Sequence, residues 1–234
     1  MAPAPPLSPL RCCLLSGGAS RRMGRDKALL PHPEGSTWLE RQLRLLLALD
    51  HPLTLCTRHS AHGALAEALV GPFAVAGGSA PPLSVFQEPP PWEGPLRALA
   101  RLMERHPKEH LLLCPVDMPW LDRATLQALI AAASPLAQGP IHLAHDGRRL
   151  QPLLGVYPAT VARQQRLNDA LERGERGLQR WLAGEHWRPV LLPAGPLSNI
   201  NTPEELGLAP MEPAPHDAPL DLGSSVASLP APGP

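Results

Sequence analysis

Apolar residues along the chain gather in short runs rich in β-forming side chains. These runs predict strands at Leu10–Leu15, Leu53–Thr57, Leu83–Gln87, Leu111–Cys114, Ile141–Ala144, Leu153–Tyr157 and Val190–Leu192. Between most of them apolar residues recur at helical spacing, as in "TWLERQLRLLLALD" from Thr37 to Asp50. This alternation predicts an α/β, Rossmann-like three-layer fold with a mostly parallel sheet and helices on both faces. Ligands of such open sheets bind beyond the C-terminal ends of strands. Three chemically loaded stretches follow strands there: the loop after Leu15, "QEPPPWEGPL" from Gln87, and "PVDMPWL" from Pro115. They are expected to converge on one rim.

The pattern fades at both ends. From Gly207 to Pro234 the chain carries seven prolines and no strand or helix period, and residues 1–9 read alike. Such segments bury too little apolar surface to offset their ordering entropy, so disorder is expected at 1–9 and in the Pro-rich tail 207–234. The expected folded unit is a single domain, 10–206. Lys plus Arg equals Asp plus Glu at 21 each, so no global basic field points to nucleic acid. Nor is any apolar run near the ~20 residues of a membrane span. Cys12, Cys13, Cys56 and Cys114 form no C-x-x-C pair and sit in apolar runs, as buried reduced thiols of a cytoplasmic protein would.

Candidate chemistry starts with "LLSGGASRRMGRDKALL", Leu14–Leu30. Gly17 and Gly18 follow a strand, where missing side chains let backbone N–H groups approach a ligand. Arg21, Arg22, Arg25 and Lys27 add positive charge, in a mixture of planar forks and a point charge that suits a polyphosphate. A glycine turn with a solvated basic face is the alternative. The loop is neither a Walker A nor a G-x-G-x-x-G motif.

This stretch resembles the L-x-G-G-x-S-x-R-M-G-x-D-K-x-L signature of nucleotidyltransferases, and most closely that of the molybdenum cofactor guanylyltransferase family. "LLLCPVDMPWL" (Leu111–Leu121) is similar to that family's strand–C-P-x-D-x-P segment, and "NINTPEEL" (Asn199–Leu206) to its N-x-N-T-P-x-D/E-L. "EGPLRAL" (Glu93–Leu99) and "QPLLGVYP" (Gln151–Pro158) are looser matches. The resemblance implies a nucleotidyltransferase fold and transfer of GMP from GTP to the terminal phosphate of molybdopterin, with release of pyrophosphate. It implies Mg²⁺ as cofactor, and GTP and molybdopterin as substrates. No nucleic acid or membrane is expected as a partner. Contacts with molybdopterin-delivering or molybdoenzyme-maturation proteins would be transient, made by a monomer or weak oligomer. A cytidylyltransferase of the same fold and a nucleotide sensor without turnover are the rival readings; Gly17-Gly18, where cytidine-transferring relatives resemble L-A-A-G, favours guanine.

Residue by residue, the resemblance implies nucleotide contacts from Leu15, Ser16, Gly17 and Gly18, mainly through backbone groups, and a phosphate-holding Lys27. Arg22 joins Lys27 and Asp117 as a catalytic candidate. Asp117, beyond a strand end, is the candidate Mg²⁺ ligand, since that ion takes few protein carboxylates and completes its shell with phosphates and water; a turn cap is the alternative. Asp122 is read as a helix cap without chemistry.

Three positions depart from the family pattern. Glu88 stands where Asp is usual, as a candidate nucleotide or metal contact. Arg97 replaces a small residue and is expected to point to water, and the Asn usual after the second strand is missing from "LTLCTRHS". Asn199 and Asn201, two apart, are candidate contacts for the molybdopterin substrate, with Asn201 also placed to cap a helix. No Ser–His–Asp or Cys–His arrangement is legible, and the histidines lack metal-site spacing.

Overall fold

The structure is a computed structural model that describes residues 9–18, 24–75, 82–133, 138–200 and 205. Among these residues seven strands form one sheet: β1 (Leu10–Leu15), β2 (Leu53–Thr57), β3 (Leu83–Gln87), β4 (His110–Pro115), β5 (Ile141–His145), β6 (Leu150–Pro158) and β7 (Trp187–Leu191). Their order is β3-β2-β1-β4-β6-β5-β7. Only β6 runs against its neighbours, pairing antiparallel with β4 and β5. The expected α/β architecture with a mostly parallel sheet is what the chain forms.

Helices α1 (Trp38–Leu47), α2 (Ser60–Val75) and α4 (Arg123–Ala132) cover one face, and α3 (Pro95–Arg105), α5 (Val161–Glu172) and α6 (Leu178–Leu182) the other. Strand alternation divides the core accordingly. Cys12, Leu14, Leu112 and Cys114 pack on the α1 side, whereas Cys13, Leu111 and Leu113 pack on the α3 side. Local chemistry sets the helix starts. Thr37 and Glu40 form a reciprocal capping box before the buried Leu39, Leu43 and Leu46 of α1. Asp122 Oδ1 accepts the Thr125 N–H at 2.7 Å and caps α4, as read from the sequence.

Two predicted strand starts move by three residues. β6 begins at Leu150, three residues before its predicted start, because Asp146 Oδ1 accepts the N–H groups of Arg148 and Arg149 and Gly147 takes a φ of 88°, closing a tight β5–β6 hairpin. The last strand spans Trp187–Leu191 instead of starting at Val190, paired along β5. At the other end of the chain, Pro9 already accepts a backbone hydrogen bond from His110 at 2.8 Å. Among the described residues no helix is long and apolar enough to cross a membrane, and all four cysteines are free and buried.

Candidate active site

The chain runs from β1 outward to β2 and β3, then returns through α3 to β4 on the opposite side of β1. The C-terminal ends of β1 and β4 therefore flank the point where strand order reverses, the place where an open sheet leaves a crevice. A cleft of about 520 Å³ opens there, a size suited to a nucleotide-scale ligand. Backbone hydrogen bonds fix its rim: Ser16 N–H to Cys56 O (3.0 Å), Val116 N–H to Leu15 O (3.1 Å) and Glu88 N–H to Thr57 O (2.6 Å).

The three stretches expected on one rim do meet. Leu15, Ser16, Gly17 and Gly18 line the cleft after β1, Glu88 and Trp92 after β3, and Asp117 after β4, with Lys27 across from Asp117. α3 starts at the same cleft, with Gly94 at its N-cap and Pro95 in its first turn, so its positive dipole end lies where an anion would be stabilised. Leu153 of β6 closes one side.

Lys27 sits in a 3₁₀ turn, Lys27–Leu29, and its Nζ lies 3.5 Å from Asp117 Oδ2. Burial pushes the Asp117 carboxyl up from its ordinary value, against the opposing pull of Lys27. The other oxygen, Asp117 Oδ1, is buried with no hydrogen-bond partner among the described residues. A lone acceptor beside a cleft fits a divalent cation. No group of three or more His, Cys, Asp or Glu suited to a metal occurs among the described residues, so phosphates and water would complete such a shell.

Glu88 is buried and held from one side. Arg101, on α3, donates to its Oε1 at 2.7 Å, while Oε2 lies 3.7 Å from where a Cβ on Gly17 would stand. Burial raises its pKa, and Arg101 is the first of three arginines that oppose the rise. Arg58, just beyond β2, lines the cleft next to Glu88; its guanidinium lies 5.4 Å from the centre of the Trp92 ring, whose Nε1–H bonds Glu88 O at 2.9 Å. Arg97 does not simply point to water: it pairs with Glu93 at i,i+4 through Nε (3.0 Å) and Nη2.

Asn199 is exposed and lines a second cleft of about 690 Å³ with Arg148 and Arg149, although Ile200 N–H, next to it, bonds Asp117 O at 3.0 Å. Arg22, Asn201 and the tail 207–234 lie outside the described residues. A second expectation is corrected: a Ser–His–Asp array does exist, with His62 between Ser16 and Asp26. Sequence reasoning also missed Arg58 and Arg101. Arg58 carried a signal, a cation one residue past a strand end, but Arg101 carried none, as it reaches Glu88 only through packing of α3 on the sheet.

Residues 12–190 match the MobA-like NTP transferase domain. Among similar curated proteins, a probable molybdenum cofactor guanylyltransferase of Rhodopirellula baltica is 34% identical over 87% of this chain and 92% of its own length. The molybdenum cofactor guanylyltransferase of Pseudomonas syringae is 34% identical over 85% and 92%. The solved structure of molybdopterin-guanine dinucleotide biosynthesis protein A from Archaeoglobus fulgidus superposes with a TM-score of 0.58 at 17% identity, covering 85% of this chain and 96% of that one, which shows a shared fold. The chain belongs to the MobA-like NTP transferase family.

Proposed function

We propose that this protein is a molybdenum cofactor guanylyltransferase, which moves GMP from GTP onto the terminal phosphate of molybdopterin. An oxygen of that phosphate attacks the α-phosphorus of GTP; the new O–P bond forms as the bond to the β-phosphate bridge breaks, and pyrophosphate leaves with the electron pair. The attacking group is already anionic at neutral pH, so no general base is required. What the chain supplies is position and charge. Lys27 and the start of α3 hold the phosphates, and Asp117 would hold Mg²⁺, which when bound offsets charge on the leaving pyrophosphate. Arg22, in the same basic stretch, is assigned to the phosphates, and Asn199 with Asn201 to the molybdopterin side. Four buried, unpaired thiols fit a reducing compartment, and we place the reaction in the cytoplasm.

The observation that carries the choice of guanine is that Glu88 and Arg58 both stand beside Gly17 in the cleft. Guanine offers N1–H and N2–H donors on one edge and O6 and N7 acceptors on another. Glu88 Oε2, its partner oxygen held by Arg101, accepts the former, and Arg58 donates to the latter as arginine commonly does to guanine. Cytosine offers the carboxylate one donor, its N4 amino group, beside the N3 acceptor, and so lacks the two adjacent donors that guanine presents. The test is mass analysis of products after incubation with molybdopterin, Mg²⁺ and equal GTP and CTP. A guanine dinucleotide is expected; a cytosine product overturns the base assignment, and bound GTP without any product overturns the transferase reading.

A further inference from the structure

Ser16 directly follows β1 and Asp26 precedes Lys27, so the two bracket the glycine-rich stretch 17–25. One side chain joins them. His62, in the first turn of α2, is wholly buried; its Nε2 lies 2.9 Å from Asp26 Oδ2 and its Nδ1 3.1 Å from Ser16 Oγ. Thr57 Oγ1, which accepts the His59 N–H at 3.1 Å, also lies 3.1 Å from Nδ1.

Donor counting settles the tautomer. An ionised carboxylate only accepts, so Nε2 carries the proton and donates to Asp26, while the single lone pair of Nδ1 is left to accept from the Ser16 or the Thr57 hydroxyl. Burial lowers the His62 pKa and keeps the ring neutral, against the opposing pull of Asp26. The second Asp26 oxygen, Oδ1, accepts the Ala28 N–H at 3.0 Å and caps the 3₁₀ turn that carries Lys27. A continuous run of hydrogen bonds thus leads from the end of β1, through α2, to the turn that carries Lys27.

The composition is that of a hydrolytic triad, but the surroundings are not. Ser16 is 2% exposed, His62 does not line the cleft, and Nδ1 is shared with Thr57, so nothing leaves the serine oxygen open to attack a substrate. The array acts as a strut. We propose that His62 is a positioning residue that clamps both ends of the glycine-rich stretch and, through Asp26, aims Lys27 at the nucleotide's phosphates. This rests on the nucleotidyl-transfer reading of the same cleft.

The test is calorimetric titration of GTP and of guanosine, which has no phosphates, onto the wild type and the variants His62→Leu, Lys27→Ala and their double, with thermal melts alongside. His62→Leu is expected to weaken GTP about tenfold, as for loss of a hydrogen bond to a charged group, while guanosine changes less than about twofold. Because His62 acts through Lys27, the double variant should bind GTP no more weakly than Lys27→Ala alone. His62→Gln, whose amide can both donate to Asp26 and accept from Ser16, should restore most of the GTP affinity. Equal losses for GTP and guanosine, or single losses that multiply in the double variant, overturn the proposal. Should His62→Leu melt too low to titrate, Ser16→Ala cuts the array at its other end: a GTP-selective loss supports the clamp and unchanged GTP affinity overturns it. If the wild type takes CTP in place of GTP, the guanine reading fails by itself, and the same comparison with CTP and cytidine still decides the role of His62.

Discussion

Asp117 is the residue whose surroundings make least sense without a ligand. It is a carboxylate raised by burial, with one oxygen 3.5 Å from Lys27 and the other without a described partner. A folded-state pKa above the ordinary value means that its charge costs the fold something at neutral pH. Asp117→Asn should therefore leave the melting temperature unchanged within a few degrees while lowering turnover at least about 100-fold; near-normal turnover in that variant would remove the metal assignment. Glu88→Gln keeps the shape but replaces an acceptor pair with a mixed amide. The GTP-over-CTP preference, read as the ratio of kcat/KM values, should fall about tenfold, and an unaltered ratio would show that another group selects the base. Lys27, Asp117 and the paired glycines were legible because their chemistry is written in short runs beside strands. Arg101 and His62 were not: they reach Glu88, Ser16 and Asp26 across 13, 46 and 36 positions, and only the packing of α3 and α2 on the sheet brings them there.

At the scale of elements, apolar runs placed the first three strands to the residue, since parallel strands buried or half-buried on both faces are continuous in sequence. Direction was harder. Nothing in "QPLLGVYP" says that β6 runs antiparallel, although Asp146-Gly147 just before it is a hairpin signal that could have said so. β6 matters to the site because Leu153 walls the cleft while Gly155 sits inside the β4–β6–β5 pairing. A Cβ on Gly155 would stand 2.7 Å from His142 O and 2.7 Å from Leu143 Cδ2, so backbone would have to move. Gly155→Ala should cost about 2–3 kcal/mol, seen as a lower denaturant midpoint with an unchanged slope. A midpoint equal to wild type would show that β5 and β6 separate more easily than this register implies.

Across the whole molecule, the sheet's order sets the division of labour: the C-terminal rim carries charge for a ligand, while buried histidines support the packing elsewhere. His106 caps the C-terminal end of α3, the end away from Gly94, and its Nε2 lies 3.1 Å from Thr54 Oγ1. Burial, helped by the charge of Arg11, pulls its pKa from 6.5 down to about 4, with Glu109 opposing. The folded state thus keeps His106 neutral while the unfolded chain takes up a proton below pH 6.5, so stability is fully present above 6.5 and is lost as pH falls toward about 4. His32, His62 and His142 shift the same way, each mainly through burial, whereas the raised carboxyls of Glu88 and Asp117 work in the opposite sense. The melting temperature should therefore drop between pH 6.5 and about 4, and His106→Gln, which removes one of these protons, should flatten that slope. Initial rates of the same variant at neutral pH should match the wild type, because its partners Thr54, Leu102 and Glu109 do not line the cleft. A flattened slope with altered rates would mean that α3 transmits strain from its C-terminal cap to Gly94 at the cleft, and the two ends of that helix could no longer be treated as independent.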